Sequence, residues 1–387
     1  MIKTADAVVI GGGINGCCSA YQLAKKGVKK VVLVEKKHIA SGPTGRSSGV
    51  VRQHYSLETL AKMARDSVKV FLNFKEIIGG DAGFVQCGVV FMCSPENAPE
   101  FEHSVQMHQR LGIRETLMTS AELKKMEPEL VHDDIGLGGY DLDGGYADPA
   151  LAANSICEAA ERLGVEVLRR NTVTGLRVEQ GRIRGVLTDK GDISTDVAVN
   201  IAGPWGAKIA AMAGVEIPIV PYRHPVVVLQ RPQQWRNPTP VWVDVAAGWY
   251  YKPEGVHGMM VGCRTEKIQD QNVEIDAHST TVRYEETVQY SESILRRFPV
   301  MAEGLAQGGW AGIYDVTPDA QPVIDRIDGV EGFYCAVGFS GHGFKIGPAV
   351  GTIMAELVTE GACRTYDIGI FRHGRFRERK LNEPVYA

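Results

Sequence analysis

The 387-residue sequence has no large excess of charge of either sign. Its 42 Lys and Arg stand against 46 Asp and Glu, for a formal net charge of −4. Without a basic field, a general nucleic-acid binder is disfavoured. The one basic stretch, Arg372–Lys380, is short and carries Glu378, so it reads as a solvated tail or an interface strip. None of the eight cysteines forms a CxxC pair, and no Cys/His group has zinc-finger spacing, so no metal is expected. Cys17 and Cys18 are adjacent on an expected helix, where a mutual disulfide would strain the backbone; buried free thiols in a reducing compartment are expected. No apolar run approaches the ~20 residues of a membrane helix. A strand begins within a few residues of Met1, which leaves no room for a signal peptide. The expectation is a cytoplasmic protein with no membrane insertion. No internal repeat is present, and 44% hydrophobic with 23% charged residues exclude a disordered or fibrous chain. The length suits two or three domains.

Glycine is what the sequence has in excess: 44 residues, roughly 11% against the usual ~7%. Tight turns and close backbone approaches, as in nucleotide-binding α/β proteins, use glycine in this way. Ala5–Ile10 is an apolar run bounded by glycine, as expected of a buried parallel strand. Gly11–Gly16 follows, then a helical pattern over Cys17–Lys26 closed by Gly27, then a strand over Val31–Val34 ending at Glu35. This is a βαβ unit. Further helices are expected over Leu57–Ile78, Glu96–Leu111, Ser120–Met126, Ala150–Leu163, Gly206–Ala213, Thr281–Phe298 and Ile346–Thr359. Asp148 and Pro149 form an N-cap and first-turn pair. Residues 217–260 are rich in β-branched and aromatic residues, which predicts an antiparallel sheet. The expected fold class is α/β: a discontinuous Rossmann-like dinucleotide domain (1–85, 150–215 and 320–387) with an inserted antiparallel-sheet α+β substrate domain (86–149 and 216–319).

The strongest local motif is Gly11, Gly13 and Gly16 with Glu35 nineteen residues later. Gly11 permits the turn, Gly13 lets backbone approach a pyrophosphate, and Gly16 lets the helix pack on the sheet. The helix N-terminus offers amides and a positive dipole to phosphates. Glu35 can accept from ribose hydroxyls and disfavours a 2′-phosphate, which leaves FAD or NAD. Ser41–Gly49 (SGPTGRSSG) offers amides, hydroxyls and Arg46 to a long anionic cofactor, as in flavoproteins.

Five segments, GGGINGCCSAYQLAKKG, SGPTGRSSGVVRQHY, NIAGPW, WAGIYDVTPDAQPVI and GFSGHGFKIGPAVG, stand in one order and span nearly the whole chain. In them the sequence resembles the D-amino-acid oxidase and sarcosine oxidase superfamily of FAD-dependent amine oxidoreductases. It is most similar to the β-type subunits of heteromeric sarcosine oxidase and L-proline dehydrogenase, and to dimethylglycine-type enzymes. The resemblance implies FAD as cofactor. The contacts expected from the turn, the loop and the matching motifs are Gly11, Gly13, Ile14, Asn15, Gly16, Glu35, Lys36, Gly42, Thr44, Arg46, Ser47, Ser48, Gly49, Val173, Gly203, Trp205, Gly312, Gly338, Gly341, His342, Gly343, Phe344 and Lys345.

The resemblance also implies that Arg52 and Lys345 bind a substrate carboxylate and that Tyr314 is an active-site tyrosine. Of His54, His224, His257 and His342, only His342 is kept as a candidate, because it sits in the flavin loop; lone histidines are more often structural. The active-site His of the monomeric enzymes falls on Arg264, a third cation that suits a more acidic or larger substrate. Their oxygen-activating Lys falls near Met260, which favours a dehydrogenase over an oxidase. The Cys that carries flavin covalently is Gly312 here, so FAD is expected to be non-covalent. The implied reaction oxidises a secondary amine or N-substituted amino acid, of the sarcosine, dimethylglycine or proline kind. Hydride passes to flavin N5, an imine forms, and an electron acceptor or O2 takes the electrons. The rival reading is a flavin-carrying subunit that works only beside partner subunits. An NAD enzyme would leave GFSGHGFK unexplained.

Overall fold

The computed structural model describes residues 3–236, 238–263 and 270–381. At its centre is a six-stranded sheet in the order Val323–Arg326, Phe333–Val337, Ala198–Asn200, Ala7–Ile10, Val31–Glu35, Glu166–Arg169. Five strands are parallel, and Val323–Arg326 pairs antiparallel at one edge. The four inner strands are buried along their whole length, which is why they read as unbroken apolar runs. Alternate side chains divide between the two faces. Ala7, Val9, Val31 and Leu33 pack with the helices Ile14–Lys25, Pro149–Arg162 and Gly347–Glu360. Val8, Ile10, Val32 and Val34 pack with Leu176, Ile183, Val186 and Ile209, from a four-stranded sheet and the short helix Gly206–Ala211.

A second, nine-stranded sheet takes its strands from residues 89–141 and 220–316. Its longest pairing joins Val220–Gln230 to Leu305–Val316. The helices Ala98–Arg110 and Tyr284–Arg297 contribute Phe101 and Val105, and Tyr290 and Ile294, to the clusters that cover it. The sheet is not wholly antiparallel: Val241–Asp244 runs parallel to Val89–Cys93. These strands are far apart in the chain, so no hairpin constrains their direction.

The long helix expected over Leu57–Ile78 is two helices, Glu58–Leu72 and Phe74–Ile78. Asn73 breaks it with ψ +36°, and its side-chain amide donates to Lys69 O at 2.8 Å, competing with the helical pattern. Asp148 caps its helix as expected, accepting from the N–H of Ala150 and Leu151 at 2.9 Å. The eight cysteines are free thiols. No helix among the described residues is long and apolar enough to cross a membrane.

Candidate active site

The glycine turn follows strand Ala7–Ile10 and opens helix Ile14–Lys25. Gly11 has φ +115°, and a Cβ there would lie 2.4 Å from Ile201 O. A Cβ on Gly16 would lie 1.8 Å from Gly11 O, so the helix can meet the turn only through glycine. Glu35 ends the next strand. Its carboxylate accepts from Gly12 N at 2.8 Å, Lys37 N at 2.7 Å and Ser41 Oγ at 3.1 Å. Thr44 Oγ1 accepts from Ile14 N at 3.1 Å and ties the following loop to the start of the helix.

These elements border one cavity of about 430 Å³ at the carboxyl ends of the parallel strands, where ligands of open α/β sheets bind. The cavity runs from the glycine turn past residues 41–52 to the loop 339–345. It is lined by every cofactor contact expected from the sequence except three glycines. Gly16 packs on Gly11. Gly49 sits against Ala147 O, and Gly338 lies beside Thr317 and donates its N–H to Asp315 Oδ2 at 2.8 Å. Their contribution is to backbone packing around the cavity.

At one mouth, Lys36 Nζ is 2.6 Å from Asp276 Oδ1 and 3.7 Å from the Trp205 ring centroid, and Trp205 Nε1 donates to Asp276 at 3.0 Å. Arg52, Lys345, Tyr314 and His342 line the same cavity around the loop 341–345, where a Cβ on Gly341 would lie 2.8 Å from the Tyr314 ring. Arg52 and Lys345 are each only 7% exposed. The Arg52 guanidinium lies 4.2 Å from the Tyr55 ring centroid and donates to His54 O. Among the described residues it makes no ion pair with a carboxylate. Lys345 Nζ donates to Gly341 O at 3.4 Å, and His342 Nδ1 is 3.3 Å from Tyr55 OH. Ser340, at the tip of this loop, adopts φ +49°, a left-handed conformation uncommon outside glycine. Beneath the loop, burial pushes the Asp315 carboxyl up to about 6.

The cavity also exposes His224, which the sequence reading set aside as structural, and side chains that it did not name. His224 stacks on Tyr314 at 4.1 Å, and its Nε2 lies 3.2 Å from Tyr314 OH and 3.3 Å from Tyr250 OH. Burial lowers the His224 imidazole to about 3, so it is neutral at working pH, and raises the Tyr250 phenol to about 12. Tyr222 shares the wall. The available signal was the two-residue alternation Tyr222-x-His224 on a strand. Asn171, Thr172 and Asp276 also line the cavity without having been singled out. Met260 lies in strand Gly258–Cys263 and does not line it. Arg264 lies outside the described residues.

A family model described as FAD dependent oxidoreductase (DAO) matches residues 6–357. The chain belongs to this family. Over 384 residues it is 29% identical to the mitochondrial sarcosine dehydrogenase of Mus musculus, covering 96% of this chain and 42% of that protein. It is 26% identical over 372 residues to the mitochondrial dimethylglycine dehydrogenase of Rattus norvegicus, covering 92% and 43% respectively. The chain thus spans less than half the length of these relatives. The solved structure of L-proline dehydrogenase from P. horikoshii superposes with a TM-score of 0.90 at 31% identity, covering 99% of this chain and 100% of that one. Glycine oxidase from Geobacillus kaustophilus shares the fold, with a TM-score of 0.83 at 20% identity, covering 96% and 99%.

The cavity of this DAO-family chain fits FAD on two observations of its own. Asn15 Oδ1 and Asn171 Oδ1, both on lining residues, are buried and have no hydrogen-bond partner among the described residues. Buried polar atoms rarely stay unpaired, so both suit a polar ligand. The glycine turn, moreover, presents backbone at a helix N-terminus. Glu35→Ala is expected to raise the Kd for FAD about ten- to hundredfold, because hydrogen bonds to a charged group are worth ~1.5–3 kcal/mol. Flavin fluorescence during reconstitution of the apoprotein measures this.

Proposed function

We propose that this FAD-dependent oxidoreductase oxidises a small secondary amine or N-substituted amino acid to the imine, with dehydrogenase activity favoured over oxidase. The carrying observation is Arg52: a guanidinium almost fully buried in the cavity wall, with no carboxylate partner among the described residues. A buried cation is costly unless an anion joins it, and the carboxylate of an amino acid is such an anion. Lys345 lines the same cavity and supplies a second cation. Bound FAD supplies the hydride-accepting, two-electron chemistry. The chain's own residues bind and orient the substrate. Arg52 and Lys345 hold the carboxylate, and the Tyr314–His224–Tyr250 wall excludes water and presents neutral polar groups. Because His224 is neutral, the wall suits an uncharged amine, and no strong protein base is assigned. The names of the sarcosine, dimethylglycine and proline dehydrogenases support this substrate class.

The flavin is held without a covalent bond in this reading. The lining residues include no cysteine among the described residues, and Gly312 stands where a Cβ would approach Arg46 Cβ at 3.1 Å. Acid precipitation is expected to release all flavin to the supernatant; a yellow pellet contradicts it. A second reading, a subunit or domain that needs partners, draws support from the chain's matching only 42% of the sarcosine dehydrogenases. Turnover with an artificial electron acceptor tests the reading. N-methyl amino acids should yield formaldehyde and the demethylated amino acid in equal amounts. Turnover confined to primary amino acids would overturn it.

A further inference from the structure

The segment that follows Arg52 is gripped by a buried polar layer from the nine-stranded sheet. Gln53 donates its backbone N–H to Asp141 Oδ2 at 2.7 Å and its side-chain amide to Asp141 Oδ1 at 2.8 Å. His54 Nδ1 meets Glu115 Oε1 at 2.7 Å. Tyr55 O lies 2.6 Å from His108 Nε2, whose Nδ1 meets Glu115 Oε2 at 2.5 Å. Glu115 and Asp141 sit opposite each other on paired strands, and His108 comes from helix Ala98–Arg110. All four titratable side chains, His54, His108, Glu115 and Asp141, are buried. Burial pushes the Glu115 carboxyl up, but the two histidines outweigh it and hold it at about 2. The ionised carboxylate can therefore accept from both rings. Arg52 itself donates to His54 O, so its guanidinium is anchored to the same segment.

The ligating atoms of His54, His108 and Glu115 fall within 4.8 Å of one another. Their N···O separations of 2.5 and 2.7 Å are hydrogen bonds. Two ligands each about 2.0–2.2 Å from a zinc ion would stand further apart. A clamp, not a metal centre, is the arrangement present.

We propose that Glu115 and Asp141, acting through His54, His108 and Gln53, are positioning residues that hold Arg52 in the orientation that receives the substrate carboxylate. The inference rests on the carboxylate-binding role proposed for Arg52. A displacement of about 1 Å at a binding cation is enough to lose much of its effect. Removing the Glu115 charge leaves the His54 and His108 N–H groups poorly paired and frees the segment that carries Arg52. Asp141 adds a pH dependence. Burial, then Glu115, pushes its carboxyl up to about 7; Asp143, in the turn beyond, adds to this, and the Gln53 bonds oppose it. Protonation removes one of its two acceptor positions, so the grip on Gln53 loosens as pH falls below about 7.

The test uses the flavin-loaded protein, with propionate as probe and propionamide as its uncharged control, read by perturbation of flavin absorbance. Arg52→Ala should weaken propionate by more than tenfold. Glu115→Gln should weaken propionate by about tenfold while flavin content and propionamide binding change less than twofold. On the Arg52→Ala background, Glu115→Gln should add nothing, which a merely structural role would not produce. In the wild type, propionate should bind more weakly at pH 6 than at pH 8, and Asp141→Asn should flatten that slope. Should Glu115→Gln fail to fold, the Asp141→Asn profile decides. Unchanged propionate affinity in both variants, equal loss of propionate and propionamide, or additive losses in the double variant would overturn the inference while leaving Arg52 in its role. If propionate binding is absent, or insensitive to Arg52→Ala, the role of Arg52 fails and the inference falls with it.

Discussion

Arg52→Ala is expected to lower kcat/KM for the amino-acid substrate by about 10²–10³-fold, chiefly through KM. Truncating one member of a buried charge pair costs ~2–5 kcal/mol, and each ~1.4 kcal/mol is a factor of ten. The guanidinium is buried in the cavity wall and supported by the Tyr55 ring, so water cannot readily replace it. Arg52→Lys should recover only part of the loss, because lysine does not reproduce the planar fork that pairs with a carboxylate. Steady-state kinetics on an amino acid and its amide separate the outcomes. The amide should be nearly indifferent to the substitution, and an equal loss on both would mean that Arg52 acts through the fold.

Gly16→Val is expected to yield protein without bound flavin and with a lowered Tm. The first atom of any side chain at Gly16 would lie 1.8 Å from a backbone oxygen, that of Gly11, and backbone in a buried turn cannot swing aside. The helix must then move away from the turn, and the amides at its start move with it. Gly27→Ala is the control. Gly27, unlike Gly16, has positive φ, +93°, and no atom lies within 4 Å of its ideal Cβ. It should cost some stability through backbone strain and leave flavin content unchanged. Flavin absorbance relative to protein absorbance, with thermal unfolding, distinguishes the two variants.

The parallel sheet was legible because its inner strands are buried on both faces and so show as apolar runs, the first stopped by Gly11 and the second by Glu35. The Asn73 break was not, since a helical pattern continues across it and only the local competition of an asparagine amide ends it. The parallel pairing of Val89–Cys93 with Val241–Asp244 was also hidden, because nothing in either run specifies a partner some 150 residues away. At the site, Arg52, Lys345, Tyr314 and His342 came from matching motifs, and all four line the cavity around the loop 341–345. His224 and Tyr250 escaped because they lie in the β-rich region, where the resemblance loosens and a lone histidine usually reads as structural. Their proximity depends on sheet pairing, and so did that of Glu115 and Asp141 behind Arg52. Arg264, the third expected cation, lies outside the described residues.

Anaerobic mixing of the flavin-loaded protein with N-methyl, N,N-dimethyl and cyclic amino acids, each beside the same amine without its carboxylate, decides whether the substrate is an amine held by its carboxylate. One class of amino acid should bleach the flavin absorbance, its decarboxylated counterpart should do so far more slowly, and recolouring should be slow once air is admitted. Equal bleaching by the amines that lack a carboxylate, or no bleaching by any of the amino acids, would contradict this substrate assignment.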